Sequence, residues 1–247
     1  MPKSQMKLVA MQPYFFPYLG YFDLLNMADI WIMYDVAQYI RHGWVNRNRV
    51  LHPVAGWQYI ILPLKKHPYT APINEIRVAS DIDWQKRIFR QLEHYHMDAP
   101  YYHTVIDFLR ECFLVPYSNL AQINTEFFRL TARKLGIERP IHVFSEVNLS
   151  LGKIETPQEL ALGICHAMGA SEYINPPGGA ALYSAEQFSR HGVKLTIQEF
   201  KNMPYECGRF KYEPALSIVD VMMWNSSEKI KKYLDTFRYP SSFQQIF

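Results

Sequence analysis

Residues 11–22 read Met-Gln-Pro-Tyr-Phe-Phe-Pro-Tyr-Leu-Gly-Tyr-Phe and sit between an apolar run and a segment with helical spacing. The run Lys7–Met11 reads as a buried strand, and residues 20–27 read as a short helix with Tyr21, Leu24, Leu25 and Ala28 on one face. Residues 30–34 follow as a second strand that ends at Asp35. A strand, a loop, a helix and a strand within about 30 residues form the unit from which parallel sheets are built, and this one commits the chain to an α/β fold. The first loop stands at the carboxyl end of a strand, where open sheets of this kind place ligands. It is aromatic where connecting loops are ordinarily polar. Either its rings seal the end of a core, or they form a flat, rigid pocket.

The remaining pattern fits one α/β domain over 1–247. Residues 38–50 are polar and basic and read as a loop or the start of a helix, 57–64 as a strand, and 73–78 as a further strand. Residues 81–138 are helical in character and read as an insertion between two parts of one sheet. Residues 141–144 read as a strand and 156–168 as a helix, in which Thr156 and Glu159 have the spacing of a capping box, Pro157 sits in the first turn and Gly169 stops the helix. Residues 172–174 and 193–200 read as strands, and 183–191, 217–224 and 228–234 as helices.

Composition narrows the function classes. A formal charge of +3 and the absence of a long basic block argue against a nucleic-acid partner. Three widely spaced cysteines, Cys112, Cys165 and Cys207, fit free thiols in a reducing compartment. Cys112 and Cys165 lie in helical patterns as core residues, whereas Cys207 lies in a loop and reads as exposed. No stretch approaches the roughly 20 apolar residues of a membrane span, and no signal peptide is evident, so the expected location is cytoplasmic. His94, His96 and His103 point in different directions on a helix, so no metal site is expected.

Three constellations could carry chemistry. In the first loop, Tyr18-Leu19-Gly20-Tyr21 stands where nucleotide-binding enzymes of the aminoacyl-synthetase and pantothenate-synthetase type carry His-x-Gly-His, so Gln12, Tyr14, Tyr18, Gly20 and Tyr21 are candidates to hold a nucleotide. In the second, Asp35 ends a strand at the same sheet edge. Gln38, Tyr39, Trp44, Asn46, Arg47, Asn48 and Arg49 follow it, with guanidinium forks for phosphate or carboxylate beside aromatic rings. A solvated, salt-bridged loop would satisfy the charges but would waste Tyr39 and Trp44. In the third, Asn175, Gly178, Gly179 and Tyr183 follow a strand, where a Gly-Gly turn offers backbone N–H groups to an anion or simply closes a turn.

With those residues in place the chain resembles the WbqC-like protein family. The resemblance rests on the aromatic-proline opening, Gln38-Tyr39, residues 43–49, Asn175-Pro176, Gly178-Gly179, Leu182-Tyr183 and residues 216–220, and so spans nearly the whole chain. The family pattern has a second acidic residue after Asp35, a basic residue at 42 and an Asp after Tyr183, where this chain has Val36, His42 and Ser184. The resemblance implies a Rossmann-like, mostly parallel sheet whose first unit is nucleotidyltransferase-like. It also implies a role in surface polysaccharide (O-antigen, lipopolysaccharide) biosynthesis: attachment of an aminoacyl group such as glycyl to the amine of a nucleotide-linked 4-amino-4,6-dideoxy sugar. In that reading ATP, with magnesium, activates the amino acid. Asp35, Arg47 and Arg49 are the catalytic candidates, with Asp35 accepting the amine proton, and the other named residues bind. Two alternatives stay open: an acyl- or nucleotidyltransferase that uses a preformed donor, and a non-catalytic sugar-nucleotide binding protein. Self-association is compatible with each.

Overall fold

The computed structural model of the chain describes residues 6–238. Strand β1 (Lys7–Met11), helix α1 (Leu19–Met27) and strand β2 (Ile30–Met33) form the expected first unit, with β1 and β2 parallel and Leu8 opposite Ile30. An antiparallel hairpin follows, β3 (Arg47–Leu51) and β4 (Trp57–Ile61), and then three helices, α2 (Trp84–Leu92), α3 (Tyr102–Phe113) and α4 (Leu120–Lys134). The chain returns to the sheet at β5 (Ile141–Val143), crosses through α5 (Pro157–Met168) to β6 (Glu172–Asn175), and continues through α6 (Ala185–Arg190) to β7 (Lys194–Ile197). Helices α7 (Ile218–Trp224) and α8 (Ser227–Arg238) complete the described residues.

The fold is α/β and Rossmann-like: five parallel strands in the order β5-β2-β1-β6-β7. The chain first builds outward from β1 through β2 to β5, then jumps back to place β6 on the other side of β1. The strand order therefore reverses between β1 and β6. The hairpin and α2–α4 are inserted between the neighbours β2 and β5.

Period-two alternation along the strands distributes the core over both sheet faces. Val9, Trp31, Met33 and Ile174 pack with α1 and α4 in one hydrophobic cluster, where the Trp31 and Phe128 rings lie 4.9 Å apart. Leu8, Ile32 and Tyr173 pack in the other with Ala161, Ile164 and Cys165 of α5 and Phe188 of α6. Helix α5 begins as its sequence predicts. Thr156 Oγ1 accepts from Glu159 N, the Glu159 carboxylate accepts from Thr156 N, and Gly169 ends the helix at φ 70°.

Local expectations differ from the structure in four places. Residues 47–51, read as loop or helix start, are strand β3, because Asn48 and Val50 face inward while Arg47 and Arg49 face out. Residues 73–78, read as a strand, hold a 3-10 turn at Ile73–Glu75, because the backbone N–H groups of Ile73 and Asn74 bond to the carbonyls of Ala37 and Asp35 rather than to a strand. Tyr183 stays extended and α6 starts two residues later, with Ser184 Oγ capping Gln187 N at 3.3 Å. Cys207 is buried, as are Cys112 and Cys165. Burial raises all three thiols, Cys165 and Cys207 to about 12.

Candidate functional site

A cleft of about 900 Å³ opens at the carboxyl ends of β1 and β6, where the strand order reverses and open α/β sheets bind ligands. Its floor is formed by Ala10, Met11 and Gln12 at the end of β1 and by Tyr173 and Asn175 of β6. The aromatic loop and the first turn of α1 supply one wall, and β3 with Trp44 supplies another. The third wall is the start of α5, from Ile154 through Ile164, and Gly178 to Tyr183 close the rim.

The aromatic loop divides its rings between two tasks. Phe15 and Phe16 are core residues: Phe16 stacks on Phe127 at 4.8 Å. Tyr14, Pro17, Tyr18 and Tyr21 line the cleft instead. Tyr14 and Tyr21 stack with centroids 4.9 Å apart, and Tyr21 Oη donates to the Gln12 carbonyl at 3.3 Å. Burial raises all three tyrosine phenols, Tyr21 most of all because it is wholly buried, with Tyr14 beside it adding to the rise. These rings therefore act as neutral donors and flat surfaces at physiological pH.

The loop is clamped from two sides. Asn48 Nδ2 donates to the carbonyls of Phe15 and Phe16 at 3.1 and 2.9 Å, and Ser217 Oγ donates to the Phe16 carbonyl at 2.8 Å. Among the described residues, Phe16, His42 and Ala215 are the non-glycine residues with left-handed φ, at 39°, 63° and 53°. Each turns its carbonyl to a side chain of this region: Phe16 to Asn48, His42 to Arg47, Ala215 to Arg49. Strained backbone held by surrounding contacts is typical of binding sites.

Arg49 is the cleft's one guanidinium. It lies 5.2 Å from the Trp44 ring and 5.0 Å from the Trp57 ring and donates to the Ala215 carbonyl at 3.2 Å. Its buried Nε has no hydrogen-bond partner, and no carboxylate pairs with it among the described residues. A rigidly stacked cation without a counter-ion suits a phosphate or carboxylate from a ligand.

The structure thus brings together Gln12, Tyr14, Tyr18, Tyr21, Trp44, Asn48, Arg49, Asn175, Gly178, Gly179 and Tyr183 from the sequence-predicted set. The others lie elsewhere. Asp35 is buried at the ends of β2 and β5, beside a separate polar pocket of about 200 Å³, where both its oxygens are engaged by Ser145: Oδ1 accepts from the backbone N at 3.0 Å and Oδ2 from Oγ at 2.6 Å. Its carboxylate does not face the cleft. Tyr39 Oη donates to Asn46 Oδ1 at 2.8 Å, and Asn46 Nδ2 donates to the Leu62 carbonyl at 2.9 Å, so this pair ties the segment to the end of β4. Gln38 Nε2 donates to the Tyr69 carbonyl at 3.2 Å at the surface. Arg47 stacks on Tyr59 at 4.2 Å outside the cleft, with its donors on the His42 and Gly43 carbonyls. Gly20 lies under the Tyr18 ring: a Cβ there would stand 2.3 Å from a ring carbon, so this backbone is covered rather than open to a phosphate.

The sequence marks the start of α5 but not its place on the cleft wall. Glu155, Thr156, Pro157, Leu160 and Ile164 line the cleft, and Glu155 carries the one carboxylate on its wall. The capping box was the available signal. A helix that starts after a strand of a parallel sheet starts at the ligand-binding edge.

The model of the WbqC-like protein family matches residues 12–232, so the chain belongs to that family. An uncharacterized protein of Mycobacterium tuberculosis (strain ATCC 25618 / H37Rv), Rv1507c, is 28% identical to it over 231 residues, which cover 92% of this chain and 97% of that one. No solved structure matches. Among the described residues no helix is long and apolar enough to cross a membrane.

Proposed function

We propose that this member of the WbqC-like family binds a nucleotide-linked 4-amino-4,6-dideoxy sugar in the cleft and joins an aminoacyl group, such as glycyl, to its amine, as a step of surface polysaccharide synthesis. The observation that carries this reading is Arg49: a guanidinium fixed between Trp44 and Trp57, unpaired with any carboxylate among the described residues, on the wall of a largely aromatic cleft. A sugar ring packs against aromatic faces, and its phosphate accepts from the guanidinium. Asn175 and Gln12 supply neutral polar groups at the floor. The amine must lose a proton as the carbonyl carbon of the acyl donor bonds to its nitrogen. Asp35 is turned to Ser145, so the cleft-wall carboxylate in a place to receive that proton is Glu155.

In the ATP-dependent form of the reading, ATP with magnesium supplies activation of the amino acid's carboxylate, and Arg49 is the residue that would hold a phosphate. The donor set fits one phosphoryl or diphosphoryl group, because Arg47 stands outside and Tyr18 covers Gly20. The acceptor already brings such a group. This favours a second form of the reaction, in which the acyl group arrives on a preformed donor such as a thioester and the thiolate leaves as the amide forms.

The test is mass spectrometry of a dTDP-linked 4-amino-4,6-dideoxy sugar incubated with the protein. One arm supplies glycine and ATP with magnesium, and the other supplies a glycyl thioester without ATP. A mass gain of one glycyl residue identifies the reaction, and the arm that gives it identifies the donor. No product in either arm, with no rise in Tm on adding the nucleotide sugar, overturns the proposal.

A further inference from the structure

We propose that the outer face of the β3–β4 hairpin is a second binding strip, continuous with the cleft, that takes the nucleoside diphosphate half of the acceptor while the cleft takes its sugar. This rests on the acceptor reading above. The register pairs Arg49 with Tyr59 and Leu51 with Trp57, so Arg47, Arg49, Tyr59 and Trp57 stand on one face of the hairpin. The opposite face, with Asn48, Val50 and Ile60, is buried.

The outward side chains form a continuous row of contacts. Arg47 lies over Tyr59 at 4.2 Å, Tyr59 meets Trp57 with centroids 4.9 Å apart, and Arg49 lies 5.0 Å from Trp57 and 5.2 Å from Trp44. Trp44 and Trp57 are 37% and 40% exposed, which is high for the largest apolar side chain.

Surface stabilisation alone explains one cation on one ring. It does not explain two guanidiniums at alternate positions of one strand, about 7 Å apart by strand geometry, whose mutual repulsion no carboxylate among the described residues offsets. Their recorded donors reach only backbone carbonyls, those of His42, Gly43 and Ala215. An anion that lies between them removes the repulsion, and a flat base beside it finds exposed indole to stack on. Trp44 and Arg49 line the cleft as well, whereas Arg47 and Trp57 do not. A ligand anchored at Arg49 and longer than the cleft therefore runs out along this strip. A nucleoside diphosphate has both features the strip addresses, a flat ring and adjacent negative charges.

The experiment titrates thymidine diphosphate into the full chain and follows heat and tryptophan fluorescence. Wild type binds, Arg47→Gln and Trp57→Ala each weaken binding about tenfold, and Trp57→Phe keeps most of the affinity. Thermal melts of the same samples show that the variants are folded. If Arg47→Gln and Trp57→Ala bind as wild type does while Arg49→Gln does not, the nucleotide is confined to the cleft and the strip is overturned, with the acceptor reading intact. If wild type fails to bind thymidine diphosphate, the strip is overturned, and the acceptor reading is decided by the product and Tm test above.

Discussion

The side-chain amide of Asn48 holds the backbone of Phe16 at 2.9 Å, 32 residues away in sequence. The same amide reaches Phe15, and its oxygen accepts from Arg49 N at 2.8 Å. One buried residue thus fixes the aromatic loop to the strand that carries the cleft's guanidinium. Asn48→Ala leaves these buried backbone groups short of partners, at about 1–3 kcal/mol each for those left unsatisfied. Urea unfolding should show a loss of about 2–3 kcal/mol. Asn48→Leu, similar in size, should show no less.

Gly20 and Gly179 are close-approach positions. A Cβ at Gly20 would stand 2.3 Å from the Tyr18 ring, and one at Gly179 would stand 2.3 Å from the Asn175 amide nitrogen. In both cases the obstacle is the end of a side chain, so the ring or the amide gives way rather than the backbone. Gly20→Ala, inside α1, should hold its Tm within a few degrees, because alanine favours the helix by up to about 1 kcal/mol. It should weaken nucleotide-sugar binding severalfold as Tyr18 is displaced. Calorimetric titration beside a thermal melt separates the two effects.

Asp220 lies wholly inside the protein, where its carboxylate accepts hydrogen bonds from Tyr95 and Tyr205 and from the backbone N of Leu51. Burial nevertheless pushes its pKa from 3.8 up to about 6, and Asp23, bonded to Gln198, is pushed to about 6 in the same way. Each group binds its proton more tightly folded than unfolded. The native state therefore holds more protons between about pH 4 and pH 6, and stability falls as pH rises through that window. Asp220→Asn should make that fall shallower by about one proton, as read from urea midpoints across the range. Asp220→Ala strands the two phenols, while the Leu51 N–H keeps Tyr95 Oη at 2.8 Å, and should cost about 2–4 kcal/mol below pH 4 and less above pH 6, where the buried charge is removed with it.

All three cysteines are buried, with thiols raised by desolvation. A thiol reagent at pH 8 should titrate none of them in the native protein and all three in denaturant. Rapid reaction of one native thiol would contradict the placement of Cys207.

The first unit was readable because Leu8, Val9 and Ala10 are apolar and the helix that follows shows its period openly. The capping box of α5 was readable because Thr156, Pro157, Glu159 and Gly169 act locally. The hairpin was hidden: Arg47, Asn48 and Arg49 are three consecutive polar residues, and alternation emerges only once Asn48 is known to be buried against a distant loop. The fate of Asp35 was hidden for a different reason. Its position at the end of β2 fixes the edge of the sheet, but which side of β2 it serves depends on β5, and the cleft lies between β1 and β6. Strand order is a non-local property, and one chain's local pattern does not encode it.

That order also sets a schedule. In β1 the partner of Lys7 is Glu172, so the β6-facing edge of β1 stays open until α1, β2, the hairpin, α2–α4, β5 and α5 have all been synthesised. Ser217, which completes the clamp on Phe16, comes later still. The cleft therefore matures only after Ser217 has been made, and until β6 is added the nascent chain carries an exposed parallel edge at β1. Such edges fold slowly and invite association. Chaperone dependence and inclusion-body formation should thus track changes in residues 172–217 more steeply than changes in the first unit.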